Sequence, residues 1–473
     1  MVFSSFLFLF LFLPVVLCVY DFVPEQRKNK VLLIASLVFY AWGGIRYLPL
    51  IAFEAFVSWV CALRIENSST PKQRKTWLVV DLAVLLALLT YFKYWGLLVG
   101  SFHALIGSTA DPLAPVLPIG ISFYTFQLIS YVVDVYRSEV RAQQAYWKLL
   151  LYCSLFHQCI AGPIVRYETV ANEIDHREVS RADVYAGTRR FCVGLAKKVV
   201  LANGCATLAD SLIPAGTGAL TPQPLFGWWL GMFAYALQIY LDFSAYSDMA
   251  IGLGWMVGFH YLENFDHPYL CTSVQDFWRR WHISLGSFFR DYVYIPLGGS
   301  RCSTKRYVCN MAVVWLLTGL WHGASWNYLL WGAYYLAFLL FERFWLKDRL
   351  SQRMGHVYTL AVVILGWVLF RFENFSEMGL AFAGMFGIGA TSITSLAVHT
   401  AFLQNVFLLI ASVIACTGLG PLLRHKLAVS ARSSDMGLLA YNIEEVVVPI
   451  GLLIISTIAL AGASYNPFIY FQF

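Results

Sequence analysis

Apolar runs close to the length that crosses a bilayer recur along almost the whole chain, from Val2 to Ala463. A transmembrane helix needs roughly 20 consecutive, mostly apolar residues. Only 13% of the residues are charged, whereas a soluble domain carries about 25%. Because lipid offers no hydrogen-bond partner to the backbone, such runs must form helices. The sequence therefore predicts an all-α polytopic membrane protein with one domain over residues 1–473, and it excludes a pair of soluble domains.

The distribution of basic residues predicts how the chain threads the membrane, because Lys and Arg near span ends mark the cytoplasmic side. Connections rich in Lys and Arg alternate with connections that have none, namely residues 100–118, 209–225 and 372–400 and the tail after Ala463. About twelve crossings with both termini outside satisfy this alternation, and the predicted fold has about 11–12 transmembrane helices. The first run has no basic segment before it and no small-residue cleavage site after it, so we expect it to be retained. The predicted spans are 2–20, 31–44, 47–63, 77–99, 117–135, 190–208, 225–258, 308–322, 325–343, 357–371, 401–420 and 444–463.

Two segments do not fit a simple crossing. Residues 149–165 are apolar but contain Gly162-Pro163, and residues 275–299 mix Trp, Phe, Arg, His and Asp. Irregular backbone and charge at membrane depth are tolerated only beside protein or a water-filled cavity. We predict that both segments are re-entrant or interfacial.

The segment from Val308 to Phe341 is too short for two full crossings. Its 34 residues give about 51 Å of helix, whereas two passes through a bilayer core need about 60 Å. The flanking basic clusters predict that both ends are cytoplasmic. We therefore expect the turn near His322 to lie in a locally thin region.

The stretch from Gln275 to Tyr292 places a histidine, several Arg and Asp residues and large aromatic residues within fewer than twenty positions. It can be interpreted as an interfacial helix whose arginines reach lipid phosphates. The alternative is a binding site for an anionic thioester donor, with arginines holding phosphate groups. The candidate donor-binding and tunnel residues are Trp278, Arg279, Arg280, Trp281, Arg290 and Asp291, with Trp321 and Asn327 further along the chain. His282, in the same stretch, is a candidate catalytic residue.

A second group surrounds His322 in an otherwise apolar run, Thr318-Gly-Leu-Trp-His-Gly-Ala-Ser-Trp-Asn327. A single intramembrane histidine can be structural, donating to a carbonyl on another helix. Here Gly319, Gly323 and Ala324 predict room for a substrate, and Trp321 and Asn327 are candidate neighbours. Imidazole has an ordinary pKa near 6.5, which suits general-base catalysis at neutral pH.

Metal and nucleic-acid chemistry have little support in the sequence. Ten cysteines are scattered without a CxxC pair, and HExxH is absent. The formal charge of +6 is modest. We expect no metal, no bound cofactor and no nucleic-acid partner.

Seven long motifs together resemble a known family. They are MVFSSFLFLFLFLP at the start, LPIGISFYTFQLISYVVDVYR from Leu117, IAGPIVRY from Ile160, YSDMAIGLG from Tyr246, ENFDHPY from Glu263, FWRRWHISLGSFFRDYVYIPLGG from Phe277 and LTGLWHGASWNYLLWG from Leu317. They look like the bacterial alginate O-acetyltransferase branch of the membrane-bound O-acyltransferase family. The resemblance covers nearly the whole chain, and the branch also resembles the membrane subunit of teichoic-acid D-alanylation.

This resemblance implies a fold, an activity and site residues. It implies a ring of tilted helices around a thinned centre, His322 as the catalytic histidine and His282 as the second polar residue of the tunnel. It also implies acetyl-CoA or another thioester as the donor and a cell-surface polysaccharide as the final acceptor. An extracytoplasmic partner of the SGNH type, with a serine nucleophile, would complete the transfer. The implied location is the bacterial cytoplasmic membrane, in contact with lipid.

The C-terminal residues 466–473 contain the pattern FxYxxF, from Phe468 to Phe473, and are predicted to be extracytoplasmic. They can be interpreted as an aromatic belt that anchors the last helix. The pattern also resembles the C-terminal peptide of the small subunit in teichoic-acid D-alanylation, in which a tyrosine carries the acyl group. That resemblance makes Tyr470 a candidate acyl relay.

Two other classes of function stay open at this point. A polysaccharide transporter or flippase would also use many spans with polar groups at depth. An intramembrane serine protease could use His322 and Ser325, although no GxSxG motif is present. Loss of a transporter would stop polymer export, whereas loss of an acyltransferase would leave exported polymer unacetylated.

Overall fold

The fold was analysed in a computed structural model that describes residues 2–107, 114–160, 162–216, 218–346, 349–462 and Phe468. Over these residues the backbone forms helices and loops and no β-strand, which confirms the predicted all-α class. The chain divides into two compact units, Met1–Phe191 with Ser247–Glu263, and Cys192–Tyr246 with Asn264–Phe473. That the chain is a single membrane domain stays a prediction.

The first unit is a set of helices tied together by buried polar contacts. Thr125 Oγ1 donates to Glu54 Oε2 at 2.8 Å, and Ser58 Oγ donates to Asp81 Oδ1 at 2.8 Å. These bonds link three helices by supplying donors to buried carboxylates, which would be costly without them. Its helices are α1 (Leu13–Phe22), α2 (Glu25–Gly44), α3 (Leu48–Asn67), α4 (Pro71–Leu89), α5 (Trp95–Leu105), α6 (Ile121–Arg137), α7 (Tyr146–Ser154), α8 (Tyr167–Asp175) and α9 (Arg181–Ala196), the last of which runs on into the second unit. Short helical turns cover Phe8–Phe12, Ile45–Tyr47 and Thr90–Tyr94.

The second unit contains a large aromatic core and those predicted site residues that the structure describes. Its helices are α10 (Asn203–Leu212), α11 (Leu225–Met256), which extends into the first unit, α12 (Val274–Arg280), α13 (Ile283–Phe289), α14 (Thr304–His322), α15 (Trp326–Phe341), α16 (Gln352–Arg371), α17 (Phe375–Met385), α18 (Leu396–Ala415), α19 (Leu419–Ser430) and α20 (Asp435–Gly462). π-helical turns cover Lys197–Ala202, Arg290–Tyr294 and Glu342–Leu346, and a 3₁₀ turn covers Pro268–Leu270.

Seven helical segments in the described part of the chain are long and apolar enough to cross a membrane. On α20, Val446, Ile450, Ile454 and Ile458 recur every fourth residue and are all exposed. Such a stripe is stable only against lipid or another apolar surface. The seven segments are Glu25–Asn67, Pro71–Leu105, Arg181–Leu212, Trp326–Leu346, Gln352–Arg371, Leu396–Ala415 and Asp435–Gly462. Three of them, Glu25–Asn67, Pro71–Leu105 and Arg181–Leu212, each contain two helices, so the expected 11–12 crossings and the orientation of the termini stay predictions.

The two irregular segments form only short helices. Helix α7 has 9 residues, and α12 and α13 have 7 residues each. Such helices are about 10–14 Å long, far less than the roughly 30 Å of a bilayer core. They cannot cross the membrane, and their re-entrant or interfacial position stays a prediction.

Candidate active site

The helical hairpin of α14 and α15 positions His322 in the second unit. Ser303 Oγ accepts from the backbone N–H of Arg306 and caps the start of α14. The helix ends at His322, and after three intervening residues Trp326 begins α15. With 19 and 16 residues, these helices extend about 28 and 24 Å and are as short as the sequence predicted. His322 therefore lies at the tip of a short hairpin.

Glycines allow the two helices of the hairpin to pack backbone against backbone. A Cβ on Gly319 would lie 2.3 Å from the carbonyl oxygen of Tyr328, and a Cβ on Gly332 would lie 2.4 Å from that of Trp315. A Cβ on Gly323 would lie 2.1 Å from the Tyr328 ring. The expectation that Gly319 and Gly323 leave room for a substrate is therefore wrong. Tyr328 occupies that space, and the glycines serve helix packing.

The ring of His322 is buried among aromatic rings. It is 3% exposed. Its centroid lies 4.9 Å from that of Trp331, 5.3 Å from that of Phe370 and 5.1 Å from that of Trp321. The Trp321 ring also meets the ring of His282 edge-on, at 5.5 Å and 90°. The structure thus brings both predicted histidines to the same tryptophan.

His282 occupies a constrained position between α12 and α13. Its φ of 47° is left-handed, which few residues other than glycine adopt and which often marks a functional site. Its Nδ1 accepts from the backbone N–H of Leu285 at 3.3 Å. When that bond forms, Nδ1 carries no proton, so the neutral ring carries its proton on Nε2. Asn264 Oδ1 accepts from Ser284 Oγ at 2.8 Å and fixes the same loop.

Helix α12, which carries Trp278 and Arg279, is anchored at its start by α15. Both carboxylate oxygens of Glu342 accept from α12 backbone N–H groups, at 2.6 Å from Val274 and 3.0 Å from Gln275. The Ser273 hydroxyl accepts from the N–H of Asp276 at 3.0 Å. These three bonds satisfy most of the free donors at the start of a helix. The end of α15 therefore determines where α12 lies.

A cavity of about 1310 Å³ lies beside these elements, entirely within the second unit. Five of the predicted site residues line it: Trp278, Arg279, Trp281, His282 and Arg290. Thr318, one turn before His322, also lines it, and among the residues described the lining does not include Arg280, Asp291, Trp321, His322 or Asn327.

A series of aromatic ring contacts connects the cavity to His322. The Trp278 ring lines the cavity, and its centroid lies 5.4 Å from that of Trp331. The centroid of the Trp331 ring in turn lies 4.9 Å from that of His322. Since His322 does not itself line the cavity, a substrate bound there would need a rearrangement of side chains to reach it.

Cationic side chains line the same cavity. The guanidinium of Arg290 is paired with Asp291 at 2.7 Å, and this carboxylate raises the pKa of the arginine. Asp276 pairs with Arg280 at 3.0 Å and raises its pKa as well. Both arginines therefore stay charged at neutral pH, although only Arg290 of the two lines the cavity.

Sequence reasoning missed a third arginine of the cavity. Arg343 lines it, and its guanidinium lies 3.8 Å from the centroid of the Tyr307 ring. Its neighbour Glu342, which anchors α12, lines it as well. Both residues follow α15, more than fifty positions after Arg290, and their only signal in the sequence is charge immediately after an apolar span.

The remaining predicted site residues lie away from the cavity lining or outside the described residues. Asn327 is fully buried, and its Nδ2 donates to the carbonyl oxygen of Leu369 at 3.1 Å, which joins α15 to α16. Tyr470 and most of the tail 466–473 lie outside the described residues, in which only Phe468 of that tail is included. No cluster of three or more His, Cys, Asp or Glu side chains in the described ranges could hold a metal ion.

Comparison with known proteins identifies the class. A profile of the membrane-bound O-acyltransferase family matches residues 32–386. The chain belongs to that family and is an acyltransferase, which confirms the resemblance drawn from the motifs.

Its relatives are named as O-acetylases, O-acetyltransferases and D-alanyltransferases. The chain is 38% identical to the probable alginate O-acetylase AlgI of Azotobacter vinelandii over the whole of both chains. It is 31% identical to the peptidoglycan O-acetyltransferase of Helicobacter pylori, over 86% of this chain and 84% of the relative. It is 26% identical to the teichoic acid D-alanyltransferase of Bacillus subtilis, over 54% and 69% respectively.

Proposed function

We propose that this acyltransferase lies in the bacterial cytoplasmic membrane. It moves acetyl from a cytoplasmic thioester, such as acetyl-CoA, toward an extracytoplasmic polysaccharide. The observation that carries the proposal is the cavity, in which Arg279, Arg290 and Arg343 accompany Trp281 and His282. Arginine pairs well with phosphate groups, and an aromatic wall suits the thioester end of a long donor. The names of the relatives support acetyl as the group and an envelope glycan as the acceptor.

His322 acts as the general base. Its ring removes the proton from an acceptor hydroxyl, and the oxygen then attacks the thioester carbonyl carbon. The carbon–sulfur bond breaks, and the leaving thiolate takes up the proton that His322 had removed, which regenerates the neutral imidazole. The Nε2–H of His282 donates a hydrogen bond to the carbonyl oxygen as negative charge develops there, and Asn327 helps to orient the acceptor.

Tyr470 is the proposed acceptor for this first transfer. A phenol has an ordinary pKa near 10 and leaves an ester more readily than an aliphatic alcohol does. Its acetyl ester would therefore pass to the serine of an extracytoplasmic partner of the SGNH type. That partner would acetylate the polysaccharide, with alginate and peptidoglycan among the polymers that the relatives suggest.

Deletion of the gene tests the proposal directly. We expect exported polymer that has lost its O-acetyl groups, measured by nuclear magnetic resonance of the purified polysaccharide. Reintroduction of the wild-type gene should restore the acetyl groups. Loss of polymer export instead would contradict the proposal and favour transport.

The cationic residues of the cavity predict how the donor binds. Replacing Arg343 with Gln should raise the KM for acetyl-CoA on the order of tenfold, because one charged contact to phosphate is lost. The exposed Arg353 is a matched control, since it follows the cavity residue Gln352 but does not itself line the cavity. Arg353→Gln should leave KM unchanged, and an equal change in both variants would refute a specific phosphate contact.

A further inference from the structure

Phe468 is buried in the second unit, although it belongs to the C-terminal tail. It is 2% exposed. Its ring meets that of Tyr246 edge-on, with centroids 4.9 Å apart at 82°. The ammonium group of Lys198 lies 4.5 Å from the centroid of the Phe468 ring. The ring is therefore held by a cation and by a second aromatic ring.

The cation in this pocket belongs to a buried ion pair. Lys198 Nζ lies 2.6 Å from Asp242 Oδ1, and both side chains are 2% exposed. Lys198 lies in the π-helical turn Lys197–Ala202, and such turns are frequent at functional sites. Burying two charges is costly even when they pair. A desolvated cation also attracts an aromatic face more strongly than an exposed one. Both facts indicate a built site for an aromatic side chain.

The pocket and the candidate active site share one turn of α11. Asp242 and Tyr246 are four residues apart, so they lie on one face of this helix and meet Lys198 and Phe468. The adjacent residue Phe243 has its ring 6.3 Å from that of His282. An aromatic group bound in the pocket is therefore held next to the turn that supports the candidate active site.

We propose that Lys198, Asp242 and Tyr246 form a binding pocket for an aromatic side chain, and that its resident ligand is Phe468 of the chain's own C-terminal tail. The pocket holds the Phe468 side chain beside α11. Phe468 opens the pattern FxYxxF, in which Tyr470 follows two residues later. If the acyl relay of the proposed function operates, this contact positions its acceptor and raises the effective concentration of the tail.

Photo-crosslinking of the full-length protein tests the contact without depending on activity. Phe468→p-benzoylphenylalanine should give a crosslink to Tyr246 or to the turn Lys197–Ala202, identified by mass spectrometry after illumination in membranes. The matched control places the same residue at Ile458, which is 67% exposed on α20, and should give mainly lipid adducts. Lipid adducts alone at position 468 would overturn the proposal.

A pocket variant gives a second check. Replacing both members of the pair, Lys198→Met with Asp242→Asn, avoids leaving a buried charge alone, which would be strongly destabilising. The crosslink from position 468 should fall on the order of tenfold, as expected for loss of a desolvated cation–π contact. An unchanged yield would refute the role of the ion pair.

The consequence for the reaction is tested separately. Phe468→Leu should lower polysaccharide acetylation on the order of tenfold, and Phe468→Trp should restore it because the indole keeps an aromatic face. Tyr470→Phe should stop acetylation but keep the crosslink. A crosslink with undiminished acetylation in Tyr470→Phe would refute the relay while the pocket stands.

Discussion

Replacing His322 with Ala is expected to reduce acetylation of the polysaccharide by about 10²–10⁴-fold, the usual contribution of a general base. The protein should remain in the membrane, because the glycine contacts of the α14–α15 hairpin do not involve the imidazole. The measurement is O-acetyl content of the polymer, normalised to the amount of protein in the membrane.

A matched control separates chemistry from packing. His399 lies on α18 of the same unit and is exposed, so His399→Ala should leave acetylation unchanged. Because the His322 ring is packed among aromatic rings, the isosteric change His322→Gln should be made alongside. Acetylation at the wild-type level in either His322 variant would remove this residue from the mechanism.

Replacing Gly319 with Val should have the largest effect on stability. The new Cβ would lie 2.3 Å from the backbone carbonyl oxygen of Tyr328, and a backbone atom in a packed hairpin cannot move aside. We expect a loss of about 3 kcal/mol in the free energy of unfolding, at the upper end for overpacking. The measurement is the thermal unfolding temperature of the purified protein in detergent.

Gly451 provides the control for this experiment. A Cβ there, in the middle of α20, would meet nothing within 4 Å. Gly451→Ala should keep or raise the unfolding temperature, since alanine favours a helix by about 1 kcal/mol over glycine. If both substitutions give the same unfolding temperature, close packing of the hairpin is not what stabilises this region.

The pattern of apolar runs predicted much of the fold. The expected spans 308–322 and 325–343 correspond closely to α14, Thr304–His322, and α15, Trp326–Phe341. Their shortness followed from the residue count alone, because helix rise is fixed. The break between them is equally legible, since Gly323 to Ser325 interrupts the apolar run.

The sequence predicted less accurately where a helix with a polar cap begins. The predicted span 190–208 began nine residues too late, since α9 starts at Arg181. Ser180 Oγ accepts from the N–H of Asp183 at 3.0 Å, and Asp183 Oδ2 accepts from the N–H of Ser180 at 3.2 Å. This reciprocal cap is visible in the sequence as Ser-x-x-Asp. Hydropathy alone does not detect it because the first turns are polar.

Contacts between distant residues could not be predicted. The motifs identified both histidines, but nothing in them indicates that Trp331 packs against His322 or that His322 lies outside the cavity lining. Arg343 reaches the cavity only because α15 returns beside α12. The ring of Tyr328 fills the space that the small residues near His322 were expected to leave for a substrate. The sequence could not predict this because packing depends on the facing helix.

The two hydrogen bonds that Glu342 accepts from the start of α12 have a mechanical consequence. They join the start of α12, the helix that carries the cavity residues Trp278 and Arg279, to the end of α15, the helix whose first turns carry Trp331. A hinge motion between α12 and α15 would break both hydrogen bonds to the Glu342 carboxylate. Entry of an acyl group should therefore follow the fast rotamer exchange of single side chains and not a slow domain motion.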